Sequence, residues 1–213
     1  DISSWSSYIG NLETTRSMFL CNNIEVCSFD RNMNSWFDET NKIADLESMF
    51  SHSSFNNGGV NINWILNKAT QSGYAFSRSV LSVGVTLTIP MVTNAEDMFK
   101  GISHDKPDNI PYVDIYASDS LERLSFMFKD CNIDGSVSIS NTQQQFIPDI
   151  DCEEMFRGST ISKNVTIHGY HVKNAVGMFR ATQYFDAHTN LRFAPEPILN
   201  YMFYNSVAFN GNT

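Results

Sequence analysis

Four cysteines, five histidines and one run of acids are the side chains whose spacing could specify chemistry here. Cys21 and Cys27 stand six residues apart, Cys131 and Cys152 are far from them, and no C-x-x-C occurs. A thiolate metal site needs closely paired ligands. The cysteines therefore read as inert core thiols, with a Cys21–Cys27 bridge as the alternative, because sequence does not set the Cα separation. His168 and His171 are three apart across a strand exit, and no third or fourth ligand follows at motif spacing, so both read as solvent-facing. Asp149, Asp151, Glu153 and Glu154 immediately precede Met155-Phe156. In the first turn of a helix such acids favour the dipole and accept from free N–H groups. Calcium is the alternative, without an EF-hand loop or a glycine-rich nonapeptide to hold it. Asn164-Val165-Thr166 fits an N-glycosylation acceptor, but it overlaps an expected strand start.

No G-x-x-x-x-G-K-[ST], G-x-G-x-x-G or G-x-S-x-G is present. The expectation is a protein without catalytic residues, cofactor or bound metal. Paired carboxylates for glycoside hydrolysis are the one chemistry that spacing does not address, since any two acids can meet in a fold.

The elements that would position these groups follow from composition and repeats. The chain has 213 residues, 42% of them hydrophobic, which suffices for a substantial core. Twenty-three acidic against fourteen basic side chains give a formal charge of −9. That sign disfavours nucleic acid and anionic lipid as partners. No apolar run approaches the roughly 20 residues of a membrane span. Only 17% of residues are charged, and Asn, Ser and Thr fill much of the remainder, as on many extracellular or virion surfaces. The chain begins at Asp1, with no basic and apolar leader, and so reads as a processed protein or a piece of a longer one.

Met-Phe recurs at Met18-Phe19, Met49-Phe50, Met98-Phe99, Met127-Phe128, Met155-Phe156, Met178-Phe179 and Met202-Phe203, with Ala75-Phe76 filling the long gap. The Phe-to-Phe spacing averages about 26 residues, a solenoid period. Numbered from each Phe, apolar residues fall at −7, −4, −1 and 0, the pattern of one face of a short helix. A small column follows at +3 (Ser53, Ser79, Cys131, Ser159, Thr182, Ser206) and an apolar one at +5 (Phe55, Leu81, Ile133, Ile161). Each unit closes on an alternating run: 60–62, 85–87, 113–115, 137–139, 165–167 and 191–193. Apolar, polar, apolar at period two reads as a strand with one buried face. The expected fold is thus an α/β repeat solenoid over residues 1–213. It is leucine-rich-repeat-like, with about eight coils of short helix plus short parallel strand. Met178 and Phe179 should be buried in it.

The units resemble those of the BspA-like leucine-rich repeat surface proteins. Asp1-Ile2-Ser3-Ser4-Trp5 leads to Ser17-Met18-Phe19 at matching spacing, and Leu46-Glu47-Ser48-Met49-Phe50 is followed by Ser53-Ser54-Phe55-Asn56. Phe209-Asn210-Gly211 repeats the closing element, while the middle units keep only Met-Phe and the strand. The resemblance implies a cell-surface or extracellular protein that mediates adhesion or protein–protein binding, and it carries no catalytic residues. The alternative is a structural fibre, tail or decoration component of a bacteriophage virion.

Two sets of residues are candidates for binding a protein or cell-surface ligand. The middle residue of each strand run faces outward, giving the stripe Asn61, Thr86, Asp114, Ser138, Thr166 and Arg192. Insertions at 31–37, 104–112 and 141–146 form loops, with Trp36, Phe37 and Tyr112 as anchors wherever they are exposed. Both ends read as interior coils without caps, so self-association or an assembly partner is expected there.

Overall fold

The computed structural model describes residues 11–21, 28–29, 31–102, 110–143, 145–183 and 188–207. In chain order the strands are β1 (Ser28–Phe29), β2 (Ser54–Phe55), β3 (Ile62–Ile65), β4 (Val85–Thr88), β5 (Ile110–Ala117), β6 (Asn132–Asn141), β7 (Asp149–Asp151), β8 (Thr160–Ile161), β9 (Val165–His168), β10 (His171–Asn174), β11 (Thr189–Asn190) and β12 (Phe193–Ile198). All pair in parallel. The main sheet has the order β11-β9-β6-β5-β4-β3, and a second sheet has the order β12-β10-β7. Two three-residue 3-10 turns, Asn34–Trp36 and Asn57–Gly59, are the helical elements among the described residues. The expected α/β solenoid with a helix in every coil is therefore corrected. The chain is a β-solenoid, and about five of its coils carry well-formed parallel strands.

What replaces the helix is a chain of tight turns tied to the neighbouring coil. Around Phe50, the N–H groups of Met49, Ser51 and Ser53 bond three residues back, to the carbonyls of Leu46, Ser48 and Phe50. The alternate N–H groups of Leu46, Ser48, Phe50 and His52 point along the solenoid instead. They reach the carbonyls of Gln71, Gly73, Ala75 and Ser77 in the next coil at 2.8–3.1 Å. Every backbone donor in the run thus finds an acceptor without any bond of the α-helical i→i−4 kind. The conformation requires positive φ at positions −2 and +2. Ser48 and His52 have φ of 57° and 59°, and Asp97, Phe126, Asp130, Gly158 and Gly177 repeat the pattern. A left-handed L-residue costs about 1–2 kcal/mol, and the bonds along the axis, available only in this geometry, offset it. At position −5 a short polar side chain meets the remaining donor. Asp45, Asn94, Asp151 and Asn174 each accept from the N–H two residues on. Asp151 and Glu153 are therefore turn residues and not helix-capping acids.

The Phe column stacks into one ladder. Consecutive rings from Phe50 to Phe203 lie 5.3–5.6 Å apart and within 7° of parallel. Met178 and Phe179 are buried as expected. The small column at +3 forms a second ladder beside it. Five of its hydroxyls and thiols donate to the carbonyl of the preceding coil's Phe: Ser79 to Phe50, Cys131 to Phe99, Ser159 to Phe128, Thr182 to Phe156 and Ser206 to Phe179, while Ser53 donates to Phe50 of its own coil. The column is small because it lies inside, and it carries a donor because that carbonyl is buried. Thr182→Val keeps the shape and removes the donor. The Phe156 carbonyl still accepts from the Ser159 N–H, so the loss should be modest, about 1 kcal/mol, read as a shift in the urea midpoint at constant slope.

Cys131 and Cys152 are free and buried, and burial pushes the Cys131 thiol up to about 12, so neither is a nucleophile at neutral pH. Cys21 is disulfide-bonded, contrary to the reading of all four as thiols, and Cys27 lies outside the described residues. Glu154 receives Lys129 at 3.0 Å and Arg157 at 2.6 and 2.8 Å. Burial raises its carboxyl, but the two cations outweigh that and hold it below its ordinary value of 4.5. A lowered folded pKa gives stability that is present above the unfolded value and lost as pH falls through the folded one. Thermal midpoints measured below pH 4.5 should therefore fall less steeply for Glu154→Gln than for the parent. Parallel acid limbs would refute this coupling.

Candidate functional site

Parallel register decides which outward side chains become neighbours. The paired rows place Asn63, Thr86, Asp114, Ser138, Thr166 and Asn190 in one line across the main sheet. Four members of the expected stripe hold their places, and its two ends do not. Asn61 precedes β3, and its side-chain oxygen accepts the Gly84 N–H at 3.0 Å. Arg192 has left the main sheet, and its carbonyl accepts the Val172 N–H at the start of the second one. The cause is the period itself: an alternating run shifted by two residues keeps the same faces, so Val60-Asn61-Ile62 and Ile62-Asn63-Trp64 were equivalent in pattern.

On β5 the outward side chains are Tyr112, Asp114 and Tyr116. Thr86 and Thr88 lie beside them on β4, and Ser138 and Ser140 lie beside them on β6. A Cβ built on Gly84, the residue before β4, would stand 2.2 Å from Cε1 of Tyr112, so this ring sits where that position has no side chain. Tyr112 is half-buried in that seat, and Tyr116 is 40% exposed. Asp114 is half-buried between them, and burial raises its carboxyl above the ordinary range. Among the described residues no donor reaches its oxygens, and the four flanking hydroxyls make no protein hydrogen bond.

In two clefts elsewhere, acids already have partners. An open cleft of about 240 Å³ is lined by Glu47, Gln71, Gly73, Tyr74, Asn94 and Glu96, but Arg16 pairs with Glu47 and Arg123 with Glu96. A larger one over the second sheet holds Asp151, which already accepts from Ser125 and Asn174. Arg192 borders a shallow corner pocket with Phe146, Ile147 and His168. Trp36 and Phe37 are in the core, not on the surface: the first 3-10 turn folds Trp36 inward to 4% exposure. Most of the insertion at 104–112 and both chain ends lie outside the described residues. His168 and His171 end and begin different strands around the Gly169-Tyr170 corner, and His171 faces Asp149 at 3.9 Å. Among the described residues no three His, Cys, Asp or Glu side chains are grouped to hold a metal, and no helix is long and apolar enough to cross a membrane. Comparisons with protein-family models, with curated proteins and with solved structures find no match.

The tyrosines that flank Asp114 were legible only in part. Tyr112 stood out as an aromatic in an insertion, whereas Tyr116 follows Asp114 at the same-face spacing of two, a signal that the alternation extended through Tyr116 would have supplied.

Proposed function

We propose that this chain is a non-catalytic recognition module, held at a cell or virion surface, that binds its partner through the outer face of the main sheet around Asp114. The observation that carries this reading is a carboxylate partly withdrawn from water with no protein donor, set between two tyrosines on a rigid sheet. An isolated, desolvated carboxylate opposes folding, so a role outside folding accounts for it. The solenoid supports the same reading, because stacked coils display an extended, preorganised surface. The resemblance of the Met-Phe units to BspA-like surface proteins points the same way.

The full chain should be applied to an array of immobilised extracellular proteins and glycans, alongside Tyr116→Ala and a control change on the other sheet, Lys173→Ala. The expected result is at least one dissociable ligand lost with Tyr116→Ala and retained with Lys173→Ala. Binding that survives Tyr116→Ala, or an array without any bound ligand, would refute the reading.

A further inference from the structure

We infer that the ligand of this face is a neutral saccharide, an inference that rests on the recognition reading above. The rows across β4, β5 and β6 present hydroxyls and one carboxylate, with the tyrosines as the aromatic surface. A carboxylate accepts only, whereas Ser and Thr both donate and accept. The complementary partner therefore carries several closely spaced hydroxyl groups. Tyr112 and Tyr116 stand four residues apart on one side of a strand, about 13 Å at the usual rise per residue. That separation suits a chain of rings whose C–H faces lie on aromatic surfaces.

Charge narrows the choice. The outward positions of β4, β5 and β6 include no Lys or Arg, so nothing there would neutralise a sulfated or phosphorylated ligand. The two acids there, Asp114 and the Asp134 that already accepts from Ser162 at 2.6 Å, offer too little for a polycation. A protein partner would ordinarily anchor through buried Trp, Tyr and Arg, with Ser and Thr under-represented among the residues that matter. Here hydroxyl residues surround the centre. Gly84 acts on the site through Tyr112: any side chain there displaces the ring from its seat.

The probes are soluble neutral polysaccharides (dextran, galactomannan, xyloglucan and β-glucan), with dextran sulfate and polylysine as charged comparators, tested by affinity electrophoresis of the full chain. At least one neutral polymer should retard the protein, with retardation unchanged in 0.5 M salt, as expected where ion pairs contribute little. Asp114→Ala and Tyr116→Ala should each weaken that binding tenfold or more, and Gly84→Ala severalfold. The thermal midpoint of Asp114→Ala should be equal to or above the parent's, because a desolvated carboxylate is removed; this separates lost binding from lost folding. Retardation by the charged polymers alone, or by none of the neutral ones, overturns the inference. If the array instead yields a polypeptide ligand that depends on Tyr116, the recognition reading stands and the saccharide falls. If no ligand of either kind depends on this face, both fall.

Discussion

Replacing Phe128 by alanine should destabilise the protein by about 3–5 kcal/mol, the range for a fully buried aromatic. Its ring is fully buried between those of Phe99 and Phe156, at 5.3 and 5.4 Å. The size of the loss depends on whether the site can collapse. Here the Phe99 N–H bonds Met127 and the Phe128 N–H bonds Met155, so backbone bonds hold the coils apart on both sides. The missing ring leaves a cavity that neighbouring rings cannot close without breaking them. The upper half of the range is therefore expected. Phe203, 44% exposed at the last described rung, should lose much less on the same change. Urea unfolding at constant slope is the measurement. A loss below about 1 kcal/mol at Phe128 would mean that the ladder does not carry the core.

Trp64→Ala should cost a similar amount, about 3–5 kcal/mol, while Trp64→Phe should cost far less. Trp64 is 1% exposed and touches Phe37, Phe50, Phe55 and Phe76, with ring centroids 4.1–6.0 Å away. Its indole N–H is buried and reaches no acceptor among the described residues. An unmade buried hydrogen bond costs about 1–3 kcal/mol. Phenylalanine removes that donor while keeping most of the apolar contact, so the smaller cavity and the relieved donor act in opposite directions. Equal losses for the two variants would show that the indole N–H does have an acceptor in solution.

The repeat was fully legible in the residues. Seven Met-Phe pairs at a solenoid-like spacing require each unit to place the same side chain in the same environment, and the Phe ladder is that environment. The Ser, Thr and Cys column at +3 was legible as small, and the alternating runs as strands with one buried face. Whether each unit is a helix was not legible from the apolar spacing. Positions −7, −4, −1 and 0 face inward both on a helix and on a chain of tight turns. A hint lay in Gly101, Gly158, Gly177, Asp97 and Asp130 at −2 and +2, since glycine and aspartate are poor helix-interior residues. Alternation likewise determined which side chains of β3 face outward, but it was blind to a slide of two residues, which is how Asn61 took the place of Asn63. Trp36 turned inward, and Tyr112 lies over Gly84, for reasons that live in the neighbouring coil. The sequence by itself determined the period, the core columns and the faces of the strands, because those depend on side-chain order along one chain. The tertiary structure decided turn against helix, register, and the isolation of Asp114, because each depends on which backbone donor or side chain the adjacent coil brings within reach.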